Sequence, residues 1–286
     1  MTTAGTIALL AATYLILFAL EHGVPLRRAT ARLGPRLWVN GVVSITALIT
    51  AAVLVRPAAL TTLDLAEGSG FGLMRLAGLA GVAEIAMTFV FMDLTFYYWH
   101  IANHRVPFLW RIHNVHHIDP DLDVTTGFRF HFAEVALSAG FRVVQVLAIG
   151  PSLLAFLVYE VAFQTGTLFH HSNVRLPYRL EWLLNLVLVT PRMHGIHHSN
   201  FRDETNSNFG VVFSGWDRLH RTARFDVPQR SIVIGIPGYS SAGDNRVRHC
   251  LAMPFLAQRD YWIGTEGLRI SRQPTEASIG AGRLSA

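Results

Sequence analysis

The chain is poor in cysteine, in lysine and in charge. Its 286 residues include one cysteine, Cys250, and every one of its 24 Lys or Arg residues is arginine. A single cysteine excludes an internal disulfide and any cysteine-ligated iron–sulfur or zinc site. Charged residues make up 15% of the chain, whereas soluble domains usually carry about 25%. The composition therefore argues against a soluble, disulfide-stapled or intrinsically disordered protein.

Apolar residues are abundant instead. They make up 51% of the chain, and the mean hydropathy is +0.34. This composition predicts an all-α integral membrane protein, because helices satisfy their own backbone hydrogen bonds in lipid. The formal net charge is +5, but the arginines do not form a stripe interleaved with aromatic residues. We therefore expect no nucleic-acid partner.

Five apolar segments are long enough, or nearly so, to cross a bilayer as helices. The first is interpreted as a membrane helix rather than a cleaved signal peptide, and the second is expected to stop at Arg56-Pro57. A further apolar patch, Trp182–Val189, is too short to span, and we expect it in the membrane interface or buried against the bundle. The five segments cover approximately 6–20, 39–55, 76–99, 132–149 and 152–169.

The distribution of arginine predicts the orientation. The loop after the first segment carries Arg27, Arg28, Arg32 and Arg36, and positive loops usually face the cytoplasm. Counting the crossings from there brings every histidine-rich stretch to the same, cytoplasmic face. The predicted architecture is an integral membrane helical bundle of about four to five spans with a cytoplasmic helical cap.

Histidine is the most informative residue type. Eleven of the 14 histidines lie between His100 and His198. Residues three and four apart share a face of a helix, so each spaced group is expected to aim two or three imidazoles at one point. The groups are His100-x-x-x-His104, His113-x-x-His116-His117, His170-His171 and His194-x-x-His197-His198.

Eight or more imidazoles predict two metal ions, since structural zinc takes four ligands and catalytic zinc three. Imidazole suits iron, copper, nickel and zinc. Iron is favoured here because the setting is apolar, without a cysteine cluster or a hydrolytic carboxylate motif. The isolated His22, His220 and His249 are interpreted as ordinary core or surface residues.

With these histidines, the chain resembles the fatty acid hydroxylase / sterol desaturase superfamily, whose members carry HxxxH, HxxHH, a further histidine and a second HxxHH. The similarity extends over approximately residues 80–255. Phe132 stands where the family has the proline of its R-x-H-P-x-E stretch. The other matching runs are Phe108–His113, Leu168–Asn173, Asn208–Gly210 and Trp216–Leu219.

The resemblance implies a ligand set. His171 is favoured over His170 as the ligand from the third element, because other members place the histidine directly before Ser or Asp. The implied metal ligands are His100, His104, His113, His116, His117, His171, His194, His197 and His198. Further candidates for the site are His170, His131, Asn208 and Asp217, and Asp93, Asp119, Glu134, Glu160 and Asn173 are candidates for orienting the imidazoles.

The resemblance also implies an activity: a di-iron oxidoreductase that uses O2 and external electrons to hydroxylate or desaturate a lipid-like substrate. The electrons are expected from a separate ferredoxin, cytochrome or reductase, and membrane lipid is an expected partner. The expected location is a bacterial inner membrane. The expected domains are N-terminal membrane helices (1–75), a fatty acid hydroxylase-like catalytic domain (76–225) and a cytoplasmic C-terminal segment (226–286) with a disordered tail from about 271.

Two alternatives belong to other classes. A zinc- or iron-handling membrane protein would place histidines in loops or along a pore, with polar residues through several spans. A non-catalytic lipid-binding relative would be expected to have lost part of its histidine groups, and these are intact.

Overall fold

The computed structural model of the protein describes residues 3–264, 266–270 and 272. These residues form helices and loops and no β-strand beyond isolated bridges, which confirms the predicted all-α class. The α-helices are α1 (Thr3–Gly23), α2 (Leu33–Thr50), α3 (Arg56–Ser69), α4 (Leu73–Leu76), α5 (Gly81–Arg105), α6 (Pro107–His117), α7 (Phe132–Ile149), α8 (Leu153–His171), α9 (Tyr178–Asn185), α10 (Pro191–His197), α11 (Arg202–Thr205), α12 (Gly215–Leu219) and α13 (Val247–Ala252).

Four helical stretches of the described chain are long and apolar enough to cross a membrane. Most of their outward side chains are apolar, for example Ile45 and Val144, which are exposed on α2 and α7. An apolar exterior of this kind is typical of helices that face lipid rather than water. The second stretch also exposes charged residues on α3, namely Arg56, Asp64 and Glu67. The candidate spans are Ala4–Gly23, Leu33–Leu76, Phe132–Ile149 and Leu153–His171.

The second span does not stop at Arg56-Pro57, so that prediction was wrong. The helix continues from α2 through a π-helical turn, Ala51–Val55, into α3. Proline lacks an N–H and its ring clashes with the carbonyl four residues earlier in a regular helix. The wider π turn directly before α3 accommodates Pro57, so the helix runs on for about 55 Å at 1.5 Å per residue. That length exceeds the hydrocarbon core of a bilayer, which is about 30 Å thick.

The bundle has two distinct ends. At one end, which we call the histidine end, α5 and α8 finish and α7 begins. At the other end, the backbones of Gly72 and Gly150 touch so closely that a Cβ on Gly72 would lie 2.4 Å from the Cα of Gly150. The Ser152 N–H donates to the Glu84 carboxylate at this same end, with an N–O distance of 2.6 Å. Helices α5, α7 and α8 therefore run the full length of the bundle.

Helix α5 differs from the third predicted span. It covers Gly81–Arg105 rather than 76–99, and it is not among the stretches apolar enough to count as a candidate span. The reason lies in its buried polar face, which includes Asp93 and Asn103. These residues lower the hydropathy of the helix while facing other parts of the protein.

A buried ionic network fastens α2 to the chain that follows α6. The Arg36 guanidinium donates from Nε to Asp119 Oδ1 at 2.6 Å and also bonds Asp123. Asn40 donates to Asp119, and Arg129 donates to Asn40. Arg36 is therefore a buried ion-pair partner inside α2 and not the free loop charge that the sequence suggested.

The predicted disordered tail from about 271 lies outside the described residues, with the exception of Arg272. That residue donates to Glu204, with an Nε–Oε1 distance of 2.6 Å.

Candidate metal centre

All nine histidines implied as ligands lie at the histidine end. They are in or next to the last turns of four helices, α5, α6, α8 and α10. Every one of them is buried, with at most 8% of its surface exposed. Helix ends pointing at one place thus bring imidazoles from residues a hundred positions apart into one volume.

The nine imidazoles form two clusters. Within each cluster, one nitrogen per residue lies within 4.8 Å of the corresponding nitrogens of the others. The clusters adjoin, because the ring centroids of His117 and His198 are 4.4 Å apart. The five-histidine cluster is His100, His104, His113, His117 and His197, and the four-histidine cluster is His116, His171, His194 and His198.

Each HxxHH group is divided between the clusters. Helix α6 gives His113 and His117 to the five-histidine cluster and His116 to the other. Helix α10 does the reverse, since it gives the four-residue-spaced pair, His194 and His198, to the four-histidine cluster. Each spaced group therefore aims two imidazoles at one point, as the sequence predicted, and the third histidine of each HxxHH group joins the other cluster. Residues i and i+4 point about 40° apart on a helix, whereas i+3 and i+4 diverge by about 100°.

The donor atoms of the five-histidine cluster fit a metal ion. Nε2 of His113, Nε2 of His197 and both ring nitrogens of His104 and His117 are buried and have no hydrogen-bond partner among the described residues. Buried polar atoms are nearly always bonded, so a group of unpaired imidazole nitrogens calls for a bound cation. Imidazole nitrogen is the donor that zinc, copper, iron and nickel accept.

The four-histidine cluster fits an ion by distance. The Nε2 atom of His171 lies 3.0 Å from Nε2 of His116 and 3.0 Å from Nε2 of His194. His194 Nε2 is 3.1 Å from His198 Nε2. Nitrogens bound to one ion at 2.0–2.1 Å stand about 3 Å apart when they occupy neighbouring coordination positions. The four rings therefore converge as ligands of one ion would.

Backbone carbonyls fix several rings. His197 Nδ1 donates to Ser207 O at 2.7 Å, His100 Nδ1 to Phe209 O at 2.8 Å and His170 Nδ1 to Val211 O at 3.0 Å. A carbonyl only accepts, so Nδ1 carries the hydrogen and Nε2 of a neutral ring keeps its lone pair. Carbonyls 207, 209 and 211 alternate along the chain and form a row, which we call the carbonyl row.

Two carboxylates hold the carbonyl row in place. Asp217 accepts from the N–H groups of Phe209 and Gly210, both at 2.8 Å. Asp93 accepts from the Phe213 N–H at 3.0 Å and from the Trp216 indole. A Cβ at position 210 would lie 2.9 Å from Asp217 Oδ2, so glycine lets the carboxylate approach the backbone.

The sequence also proposed Asn208 and Asp217 as site residues. The hydrogen bonds of their side chains go to other parts of the protein and not to the nine imidazoles. Asn208 Nδ2 donates to Met193 O and Arg224 O, and its Oδ1 accepts from the Arg224 N–H. It adopts a left-handed backbone conformation, with φ 54°. Asp217 holds the backbone of the carbonyl row, and the Asn208 side chain links this segment to Met193 on α10 and to Arg224.

Among the carboxylates proposed to orient imidazoles, Glu134 does so directly. Its Oε1 accepts from His113 Nδ1 at 2.9 Å. Glu160 instead pairs with Arg142 on α7 at 2.8 Å. Asn173 exchanges hydrogen bonds with the backbone of Arg27.

His170 and His131 lie outside both clusters. The His170 ring packs on the His194 ring, with centroids 4.1 Å apart, and so contacts the four-histidine cluster without belonging to it. His131 Nδ1 accepts from the Ala133 N–H at 3.1 Å and caps α7. Its Nε2 then carries the hydrogen and donates to Leu251 O at 3.1 Å, so the described contacts occupy both nitrogens.

Burial keeps the cluster imidazoles in the form that binds metals. Desolvation, together with the neighbouring imidazoles, holds the pKa of His117, His197 and His198 well below its usual value. A buried base with a lowered pKa is neutral near pH 7. Neutral imidazole has the free lone pair that a metal ligand needs.

Sequence reasoning missed the groups that orient the rings. These groups are main-chain carbonyl oxygens, which any residue type would supply, and they belong to Ser207, Val211 and Thr167. The Thr167 carbonyl accepts from His171 Nδ1 at 2.8 Å. The signal that could have found part of this row is the Asn208-Phe209-Gly210 run, in which Asn208, a residue type able to adopt positive φ, stands two positions before a glycine.

The model of the fatty acid hydroxylase family matches residues 85–222, a range that contains all nine cluster histidines. No solved structure matches the chain significantly.

Curated relatives are similar over the same part of the chain. The ornithine lipid hydroxylase OlsE of Rhizobium tropici is 29% identical over 56% of this chain and 47% of its own length. Human alkylglycerol monooxygenase is 29% identical over 52% of this chain and 32% of its own length. Human cholesterol 25-hydroxylase is 28% identical over 51% of this chain and 54% of its own length. The chain thus spans about half the length of these relatives, or less.

Proposed function

Because residues 85–222 of the chain belong to the fatty acid hydroxylase family, we propose that the protein is a membrane-bound di-iron oxidoreductase. It uses O2 and electrons from a separate donor to hydroxylate or desaturate a lipid-like substrate. The observation that carries this proposal is the pair of adjoining, buried histidine clusters at one end of an apolar bundle.

The proposed ligands are the five histidines of one cluster and the four of the other. Bound iron would supply the activation of O2, which amino-acid side chains cannot provide. The chain itself would hold the ions and turn the lone pairs of its imidazoles toward them. It also encloses the centre, since every ligand is buried, and a dry site strengthens the interactions inside it.

The substrate proposal draws on the relatives. Their names specify an ornithine lipid, alkylglycerol and cholesterol, which share a large apolar part. Helices α7 and α8 begin or end beside the clusters and carry apolar outer faces. We propose that an apolar substrate reaches the centre from the bilayer along this part of the bundle.

We propose that the electrons come from a separate protein. One cysteine cannot hold a four-cysteine iron–sulfur cluster, so a ferredoxin, cytochrome or reductase is the proposed donor.

The proposed location of the histidine end is the cytoplasmic face of a bacterial inner membrane, which is favoured by the positive charges of Arg27, Arg28 and Arg32. Residues 76–225 form the proposed catalytic domain, between the N-terminal membrane helices (1–75) and the C-terminal segment (226–286).

The first test is the metal content of the detergent-purified protein, measured by plasma mass spectrometry after anaerobic iron loading. We expect about two irons per chain, and less in a His197→Ala variant that still folds. The loaded protein is then given O2, a reductant and membrane lipids, and lipid products are analysed by mass. Gain of one oxygen indicates hydroxylation, and loss of two hydrogens indicates desaturation.

Zinc at one ion per chain, or no metal after iron loading, would contradict the di-iron proposal. It would favour a metal-handling or lipid-binding protein instead. Two irons without any O2- and reductant-dependent lipid product would leave a metal protein of another function.

A further inference from the structure

Helix α9 presents its apolar residues to the outside and its polar residues to the protein. Trp182 and Leu183 are 59% and 58% exposed, whereas the preceding residue, Glu181, is 2% exposed. The sequence left open whether the Trp182–Val189 patch is buried against the bundle. Its end, Val189, is buried, but most of its apolar residues are exposed. The exposed apolar residues of α9 and the turn after it, which we call the α9 apolar face, are Tyr178, Leu180, Trp182, Leu183, Leu186 and Val187.

The inward polar residues of α9 fix this orientation. Glu181 accepts from both the N–H and the Nε of Arg192, at 2.8 and 2.6 Å. Asn185 donates to Leu188 O and accepts from Arg218 Nη2. Rotating the helix to bury its apolar residues would strip these partners from Glu181 and Asn185, and a buried polar group without partners is costly.

The turn after α9 is bonded to residues 212–214, which in turn contact a part of α5 that lies deeper in the bundle than the histidines. The Val189 N–H donates to Val212 O and the Ser214 N–H donates to Val187 O, both at 2.9 Å. The Phe213 N–H donates to Asp93, and the Phe213 ring lies 5.1 Å from that of Phe89. At 1.5 Å per residue, Asp93 and Phe89 lie about 10 and 16 Å from His100 along α5, toward the middle of the bundle.

We propose that the α9 apolar face docks on the lipid bilayer, at the boundary between headgroups and acyl chains on the histidine side of the membrane. Eight residues make a helix about 12 Å long, which is too short to span. Its tyrosine and tryptophan are the residues that favour this boundary, and an arginine, Arg179, is exposed beside them. The depth of residues 212–214 makes the face continuous with the membrane-facing surface of the bundle.

The contact ties the metal centre to the membrane surface. Glu181 on α9 is bonded to Arg192 at the start of α10, and α10 carries His194 and His197. The turn after α9 is hydrogen-bonded to residues 212–214, which follow the carbonyl row. Lipid contact at α9 therefore sets the depth at which both clusters stand relative to the bilayer.

Nitroxide scanning of the full chain in lipid nanodiscs tests the proposal. Labels are placed at Leu183→Cys and Leu186→Cys, with Val144→Cys on the outer face of α7 as the lipid reference and Asp203→Cys, exposed on α11, as the water reference. Cys250 is buried, and the parent chain checks that it stays unlabelled. Collision rates with O2, which partitions into lipid, and with a water-soluble nickel chelate are measured.

We expect the ratio of oxygen to nickel collisions at 183 and 186 to exceed that at 203 several-fold and to approach that at 144. A ratio equal to that at 203 would place the face in water and overturn the proposal. Low collision rates with both reagents, together with dipolar broadening, would show a second copy of the chain on the face and overturn it as well. Each labelled variant is compared with the parent for thermal unfolding, so that misfolded protein is not scored.

Discussion

The two histidine clusters are held in different ways. In the five-histidine cluster, His100 and His197 bond the carbonyl row and His113 bonds Glu134, whereas His104 and His117 have no hydrogen-bond partner among the described residues. In the four-histidine cluster, His171 is anchored to the Thr167 carbonyl. The Nδ1 atoms of the other three, His116, His194 and His198, have no hydrogen-bond partner within the described chain.

This difference separates two ways of building a metal site. Rings fixed by hydrogen bonds are already oriented before the ion arrives, so binding costs less ordering. Rings held mainly by packing, like those of His194 and His198, depend on the ion itself to fix their orientation. We expect the five-histidine cluster to bind its ion more tightly and the four-histidine cluster to be the more exchangeable site.

The largest expected effect comes from removing one ligand from each cluster. His197 and His198 are neighbours on one turn, but they belong to different clusters. His198→Ala leaves three histidines, and we expect complete loss of one iron per chain. His197→Ala leaves four, and we expect partial loss from the other cluster. Lipid oxidation should disappear in His198→Ala, because one of the two proposed ions is missing.

Plasma mass spectrometry of both variants checks this prediction, with His22→Ala as the matched control. His22 is an exposed histidine outside both clusters and should leave the iron content unchanged. Equal losses in the His197 and His198 variants would contradict the division of the HxxHH group between two ions.

Removing metal with a chelator should reveal the difference in affinity between the two clusters as two phases of iron release. Partners that orient ligating histidines typically contribute about 10- to 100-fold in metal affinity. We therefore expect the ion of the four-histidine cluster to leave first, at a chelator strength lower by about that factor. The measurement is the absorbance of the iron–chelator complex during a titration. The early phase should be absent from His198→Ala, and a single phase in the wild type would refute the ranking.

A smaller, one-sided effect is expected at Glu134. Glu134→Ala removes the acceptor of His113 Nδ1 and should weaken the late-leaving ion by up to about 100-fold, bringing the two phases together. Glu134→Gln keeps an acceptor oxygen without the charge, so its affinity for the late-leaving ion should lie between those of Glu134→Ala and the wild type. An effect confined to the early phase would mean that Glu134 does not orient the five-histidine cluster.

The sequence predicted the apolar helices and the gathering of the histidines at one end, because both follow from helix periodicity and span length. It did not predict how α6 and α10 rotate against each other. The helix period already turns His116 and His197 away from their own helix partners, whereas the rotation that brings each of them into the other cluster is set by tertiary packing. Main-chain carbonyls such as that of Ser207 carry no side-chain signature. Arg36 was misassigned because a loop arginine and a buried ion-pair arginine look alike until Asp119 is placed beside it.

The smallest expected effect separates a capping histidine from a ligand. His131 Nδ1 accepts the Ala133 N–H at the start of α7, and losing such a cap costs about 0.5–2 kcal/mol. His131→Ala should therefore lower the free energy of unfolding by about that amount and leave both iron phases unchanged. His131→Asn supplies an oxygen that can cap the helix, so its stability should return toward that of the wild type. Thermal unfolding in detergent and the chelator titration are measured on the same samples. Loss of iron from His131→Asn, with stability retained, would mean that His131 serves the metal centre rather than the helix.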